Sequence, residues 1–153
     1  MTGVQTCALP ISSIVGLWKF EWLLDGKSKV GPPAGTLLDF GFQAWHQDGT
    51  EIINSGSQNP VDGNFCLGAW RQVGQYTYKV KHIPLAYSGN YVGPVLITES
   101  ITLSPSGNSF NGRITITPFL ATKTPGHEFD QTTPLVPEPI TGTITATRVT
   151  AEN

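Results

Sequence analysis

Short runs of alternating polar and apolar residues, each followed by turn-forming residues, recur along most of the chain. Strict alternation places successive side chains on opposite faces, which is the pattern of a half-buried β-strand. The 17 Gly and 12 Pro punctuate these runs, and almost no segment without β-branched residues is long enough for a helix. The pattern therefore predicts an all-β fold.

Eight runs are predicted to be strands, and most connections between them are short. The runs span residues 14–24, 36–46, 50–55, 65–73, 76–87, 91–104, 109–121 and 140–150. Turn residues such as Asp48-Gly49 and Gly89-Asn90 suit tight hairpins, so strands adjacent in sequence are predicted to pair antiparallel. Eight such strands close into an up-and-down β-barrel. The proline-rich stretch 122–139 is predicted to be a long loop near one mouth.

Residues 1–12, MTGVQTCALPIS, lack the strand pattern and are left out of the fold prediction. They have no basic segment followed by an apolar run, which argues against a signal peptide. The stretch resembles a sequencing adapter translated within a metagenomic reading frame, and the alternative is a disordered N-terminal tail. If residues 1–12 are a translated adapter, the true N-terminus and any secretory signal are missing. The localisation therefore stays open between cytoplasmic and secreted. Residues 13–153 are predicted to form one domain.

Composition and charge argue against several classes of function. Charged residues make up 13% of the chain and the nine Lys and Arg are scattered, so no basic stripe for nucleic acid is present. No run approaches the length of an apolar membrane helix. The three His lack the spacing of a metal set, and Cys66 has no obvious disulfide partner once Cys7 is set aside. We expect no metal, cofactor or nucleic-acid partner, and the oligomeric state is left open.

Residue parity separates the predicted interior from the exterior. In the last strand the apolar Ile144 and Ala146 share a face with Arg148, and that face is assigned to the interior. The same alternation assigns these further side chains to the interior: Trp18, Phe20, Trp22, Leu24, Leu38, Phe40, Phe42, Ala44, His46, Tyr76, Tyr78, Val80, His82, Ile97, Glu99, Ile101 and Leu103. Asp39 and Gln43 are predicted to face outward.

Two features resemble a known superfamily. Gly16-Leu17-Trp18, with Arg148 near the end of the last strand, resembles the G-x-W and closing-arginine signature of lipocalins and other calycins. The blocks FQAWHQDGTEI, GAWRQVGQYTYKV, ITLSPSGNSFNGRITI and GTITATRV are similar in order and spacing to lipocalin-like bacterial and fungal proteins. The resemblance implies that Trp18 plugs the closed end of a barrel and that Arg148 packs across the indole. The chain departs from secreted lipocalins in lacking a disulfide pair and a C-terminal helix.

His82 and Glu99 are the predicted chemical pair. If Gly89-Asn90 is a two-residue hairpin loop, paired residues have numbers that sum to 179, which places Glu99 diagonal to His82 on the inner face. A buried carboxyl beside an imidazole can share its proton, as general acid–base pairs do. Alternatively, an interior Arg or Tyr neutralises Glu99, or bulges at Pro84 and Pro94 turn it outward.

Two other positions have simpler interpretations. Gly68, in the second G-x-W (Gly68-Ala69-Trp70), is predicted to make room for a neighbouring indole, and the alternative is that this motif contacts a ligand. Cys66 is predicted to be a small buried hydrophobe, because no motif for an activating base accompanies it.

Three functions stay open. The first is binding of a small, largely apolar molecule by the aromatic residues Trp22, Phe40, Phe42, Tyr78 and Phe119, oriented by the polar residues Glu99, His82, Tyr76 and His46. The second, implied by resemblance to calycin-type barrels, is a cofactor-free cyclase or isomerase in which Glu99 and His82 form the acid–base pair. The third is a structural or interaction module with a self-filled core, marked by an exposed apolar patch near 122–139.

Overall fold

The structure is a computed structural model that describes residues 13–29 and 32–152, so the predictions for residues 1–12 lie outside the described residues. The described part contains nine strands and one short 3-10 turn, Pro60–Asp62, and the all-β prediction is confirmed. The strands are β1 (Gly16–Leu24), β2 (Leu37–Trp45), β3 (Thr50–Ser55), β4 (Phe65–Gln72), β5 (Thr77–His82), β6 (Leu85–Ser88), β7 (Asn90–Leu103), β8 (Ser109–Pro118) and β9 (Ile140–Val149).

The strands form a closed eight-stranded antiparallel barrel, as predicted. Neighbours in sequence pair with one another from β1 to β5, β7 pairs with β8, and β9 pairs with both β8 and β1. Pairing of β5 with β7 completes the circle, while β6 pairs with the other half of β7. The predicted fifth strand is divided at Pro84, because proline has no backbone N–H with which to continue a ladder.

The pairing of β5 with β7 fixes which way His82 and Glu99 point. Val80 lies opposite Glu99 and His82 opposite Ile97, in the register that a sum of 179 predicts. The predicted two-residue loop is wrong, because Ser88 pairs with Asn90 across Gly89. A register shift between Ala86 and Tyr87 restores the predicted register at β5, so Glu99 faces inward and is buried.

The end of the barrel formed by the start of β1 is closed by packed aromatic rings. The Trp18 ring lies 4.9 Å from that of Phe110, and the Arg148 guanidinium carbon lies 4.2 Å from the centre of the Trp18 ring. The Arg148 side chain donates to the backbone carbonyls of Ser13, Val15 and Gly107. Gly16 has a φ of +141°, a conformation that favours glycine, and a Cβ atom there would lie 2.5 Å from the Arg148 Nη1 atom.

Alternation of residues along the strands predicts which side chains face the interior correctly on most strands and wrongly on β2. Buried as predicted are Trp18, Phe20, Trp22, Leu24, Tyr78, Val80, His82, Ile97, Glu99, Ile101, Leu103, Ile144 and Ala146. On β2 the prediction that Phe40 and Phe42 point inward is wrong, because they are 45% and 48% exposed. Asp39 and Gln43, predicted outside, are buried instead.

The error on β2 has a physical cause. Antiparallel partners point to the same face, and the inward Trp18 and Trp22 of β1 pair with Gln43 and Asp39. These polar side chains are tolerated inside because neighbouring groups satisfy them, so hydrophobicity alone indicates the wrong face. A register shift between Trp22 and Leu23 lets Leu38 pack partly against the core, whereas Ala44 and His46 are only half-buried.

Candidate functional site

A cavity of about 220 Å³ opens at the end of the barrel opposite Trp18. We call it the mouth cavity. Its wall is mainly apolar, and its polar residues come from the ends of β2 and β3 and from the segment that follows β3. The lining consists of Trp22, Leu38, Asp39, Ser55, Gln58, Asp62, Gly63, Cys66, Pro84, Leu85, Ala86, Val95, Ile97 and Ile116.

Asp39 is the buried carboxylate of the mouth cavity, with only 5% of its surface exposed. Its Oδ1 atom accepts hydrogen bonds from the Ser55 hydroxyl at 2.7 Å, the Ser57 hydroxyl at 2.6 Å and the Phe40 backbone N–H at 2.8 Å. The Ser57 N–H adds a fourth bond, at 3.3 Å. No described residue donates a hydrogen bond to Oδ2, so among the described residues the carboxylate is held by one oxygen alone.

A second polar group lies deeper in the barrel, and we call Glu51, His82 and Glu99 the buried triad. The Nδ1 atom of His82 lies 2.6 Å from Glu51 Oε2, and its Nε2 atom lies 3.3 Å from Glu99 Oε1. Gln43 Nε2 donates to the other oxygen of Glu99 at 3.2 Å. The ring centre of Trp22, which lines the mouth cavity, lies 6.5 Å from that of His82.

Gly68 makes the Glu51–His82 contact possible. It is paired with Glu51 on one side and with His82 on the other, so it stands between them in the sheet. A Cβ atom at this position would lie 2.6 Å from Glu51 Oε2 and 2.7 Å from His82 Nδ1. The glycine therefore makes room for a carboxylate meeting an imidazole, and the prediction that it makes room for an indole is wrong.

The surroundings of the triad shift the pKa values of His82 and Glu51. Burial opposes protonation of the His82 ring, but the adjacent Glu99 and Glu51 carboxylates outweigh burial and raise the pKa of His82 to about 10. Burial also raises the pKa of Glu51, although the His82 contact opposes that rise. At neutral pH the His82 ring is therefore expected to be an imidazolium that lies between the side chains of Glu51 and Glu99.

Cys66, on the floor of the mouth cavity, is not activated as a nucleophile. Burial, followed by the charges of Glu51, Asp39 and Glu99, raises the pKa of its thiol to about 12. The residue is buried, as the sequence predicts.

The barrel interior has hydrogen-bonding capacity that the described residues leave unused. The atoms concerned are the indole N–H groups of Trp22 and Trp45, the side-chain oxygen of Gln43 and Glu51 Oε1. Buried polar atoms of this kind are normally matched by a polar partner. Of these residues only Trp22 lines the mouth cavity, so its indole N–H is the candidate for a polar contact with a molecule bound there.

The structure brings together the predicted pair of His82 and Glu99 and separates the other predicted site residues. Of the predicted aromatic contacts, Trp22 lines the mouth cavity. Tyr78 packs at the closed end with its ring 6.2 Å from that of Trp45, and Tyr76 packs half-buried against the same core. The Nδ1 atom of His46 lies 3.0 Å from the Thr50 hydroxyl in the turn between β2 and β3.

Phe119 and the two exposed phenylalanines also lie away from the mouth cavity lining. Phe119 is buried just beyond β8 and bridges to Pro134 of the proline-rich loop. Phe40 and Phe42 lie on the outer face of β2.

Glu51 is the functional candidate that the sequence prediction missed. The run TEIINS has Ile at both positions 52 and 53, so alternation does not say which face is apolar. The hairpin pairs Glu51 with Trp45, and an inward Trp45 would have assigned Glu51 to the interior. The error on β2 therefore concealed Glu51 as well as Asp39 and Gln43.

An apolar groove also crosses the outer surface, beside the loop predicted to mark an interaction module. It has a volume of about 700 Å³ and is lined in part by Phe65, Leu67, Ile83, Tyr87 and Phe129. Leu67 and Phe129 are 62% and 63% exposed. The groove and the mouth cavity share Gly63 and Leu85, which form part of the wall between them.

Comparisons with protein-family models, curated proteins and solved structures find no match to this chain. Within residues 13–29 and 32–152, no group of three or more His, Cys, Asp or Glu side chains is arranged to hold a metal ion. The same residues include no helix long and apolar enough to cross a membrane.

Proposed function

We propose that this protein is a lipocalin-like barrel that binds a small, largely apolar molecule in the mouth cavity. The observation that carries the proposal is the cavity itself, which combines a mainly apolar wall with a few polar groups, among them the hydrogen-bonded Asp39 and Ser55. Small-molecule sites have this composition, because apolar contact supplies affinity and a few placed polar atoms supply orientation. The Arg148 contact with Trp18 supports the lipocalin-like part of the proposal.

The size of the mouth cavity limits the ligand. At about 220 Å³ the cavity lies below the range of roughly 300–1,000 Å³ that is usual for drug-sized ligands. The side chains around Trp18 fill the closed end, so a long ligand has no room to extend downward. We expect a molecule of about one ring with a short side chain.

Binding accounts for the geometry better than acid–base catalysis by Glu99 and His82. A general acid or base has to lie within hydrogen-bond reach of the proton it transfers. His82 has no exposed surface, Glu99 is 2% exposed, and neither lines the mouth cavity. The substitution Glu99→Gln separates the two functions, because an isomerase would lose turnover without losing affinity.

A cavity-filling substitution tests the proposed binding. Ala86→Phe places a ring in the mouth cavity, and Ala151→Phe adds the same ring at an exposed position beyond β9. In calorimetric titrations with 2-phenylethanol, we expect Ala86→Phe to weaken binding by about tenfold or more and Ala151→Phe to leave it unchanged. Equal affinity in the two variants would overturn the proposal, as would a native chain that binds neither 2-phenylethanol nor its charged analogues 2-phenylethylamine and phenylacetate.

A further inference from the structure

We propose that the ligand of the mouth cavity is a small amine whose cationic group is bound by Asp39. The inference rests on the proposed binding function and adds the charge of the ligand, which the cavity volume alone does not specify. Three observations carry it: the geometry of Asp39, the signs of the charges around the cavity, and the apolar character of the rest of the cavity lining.

The geometry of Asp39 suits an ammonium group. Four donors converge on Oδ1 and hold the carboxylate in one orientation, while Oδ2 receives no hydrogen bond from a described residue. An ammonium group has three N–H donors and no acceptor, so it complements an oxygen that only accepts. Burial of Asp39 strengthens such a charge-assisted bond, since little water competes for the carboxylate.

The charges around the mouth cavity have one sign. Among the described lining residues, Asp39 and Asp62 are acidic and none is Lys, Arg or His. Below the floor of the cavity, Glu51 and Glu99 flank a single His82. With His82 protonated and one carboxyl ionised, the net charge of the buried triad is zero. With both carboxyls ionised, the net charge is negative. A cation entering the cavity is attracted by this arrangement and an anion is repelled.

Cys66 supports the same sign of potential from within the cavity. Burial is the main cause of its raised pKa, and the carboxylates of Glu51, Asp39 and Glu99 all act in the same direction. A negative potential that disfavours a thiolate on the cavity floor also favours an ammonium group there.

The apolar wall specifies the rest of the ligand. Trp22, Ile97 and Ile116 contribute to a surface that suits a hydrocarbon or aromatic body. A free amino acid fits poorly, because its carboxylate would enter the same acidic cavity as its ammonium group. The predicted ligand class is therefore a small arylalkyl or alkyl amine without an acidic group.

Three ligands of similar shape test the inference on the native chain. They are 2-phenylethylamine, which is cationic at pH 7, the neutral 2-phenylethanol and the anionic phenylacetate. In calorimetric titrations we expect the amine to bind at least about tenfold more tightly than the alcohol, and phenylacetate to bind most weakly. If the alcohol binds as tightly as the amine, the inference fails while the proposed binding function stands. If none of the three binds, the binding function fails as well.

A charge-neutralising variant assigns the preference to Asp39. Asp39→Asn should abolish the advantage of 2-phenylethylamine over 2-phenylethanol and leave the affinity for the alcohol within about twofold. Glu21→Gln removes the same charge from the exposed face of β1 and should keep the full preference. An unchanged preference in Asp39→Asn would overturn the assignment. If that variant does not fold, the three-ligand series on the native chain decides the inference alone.

Discussion

The two ends of the barrel use their buried polar groups in opposite ways. At the closed end, Arg148 lies over Trp18 and its donors are used by backbone carbonyls of the protein itself. At the mouth, Asp39 is equally well anchored, but one of its oxygens is left unused by the described residues. The comparison teaches that the same eight strands carry one end whose polar groups are satisfied internally and one end with an accepting oxygen to spare among the described residues, separated by the buried triad.

The largest expected effect comes from removing the indole at the closed end. Trp18→Ala deletes a fully buried ring that contacts Phe110 and Arg148, and we expect it to lower the free energy of unfolding by about 3–5 kcal/mol. Val95→Ala, at the half-buried mouth, should cost only about 1 kcal/mol. Urea unfolding of both variants measures the difference. Equal losses would mean that the two ends stabilise the barrel alike.

A substitution between the two ends tests the buried triad. Gly68→Ala places a methyl group between Glu51 and His82, and we expect this overpacking to cost about 1–3 kcal/mol. Ala69→Val enlarges the next residue of β4, which is exposed on the outer face, and should change stability by less than about 0.5 kcal/mol. Urea unfolding again provides the measurement. A Gly68→Ala variant as stable as Ala69→Val would show that the contact with Glu51 is dispensable.

The pH dependence of stability is expected to originate in the triad. The pKa of His82 rises from about 6.5 in the unfolded chain to about 10 in the fold, so the folded state binds its proton more tightly. The stabilisation is complete below pH 6.5 and is lost as pH rises toward 10. The raised pKa of Glu51 acts in the same direction, because it too makes folding favour the protonated form.

Unfolding measured between pH 7 and pH 9.5 checks this sign. The free energy of unfolding should fall across the interval in the native chain and in His127→Gln, which alters an exposed histidine, and should fall much less in His82→Gln. A native chain that becomes more stable with rising pH would contradict the prediction. NMR titration of the His82 ring, expected to stay protonated to about pH 9, tests it without a substitution.

Sequence alternation predicted most of the barrel because most strands have one clearly apolar face. The inward face of β1 consists of large aromatic and aliphatic side chains, and alternation along β5 and β7 assigns His82 and Glu99 to the interior. These signals are local or depend on a single hairpin, so they can be read without knowing the rest of the fold.

The candidate site was harder to predict because its polar residues depend on partners distant in sequence. Gln43 is acceptable inside only because Glu99, 56 positions away, accepts its hydrogen bond. Asp39 is acceptable only because Ser55 and Ser57 donate to it. A rule that assigns polar residues to the outside therefore fails on β2 at the residues that form the site.

The short strand β6 has a consequence for how the molecule meets other chains. It stands at the end of the strand order, and among residues 13–29 and 32–152 it has β7 as its one strand partner, so its other edge has no described strand beside it. Free edges invite other chains to add a strand and so promote aggregation. β6 is only four residues long and is bounded by Pro84 and Gly89, which leaves too little extended backbone for such addition. The edge of β6 beside the mouth cavity is therefore too short to serve as a template for fibrous assembly.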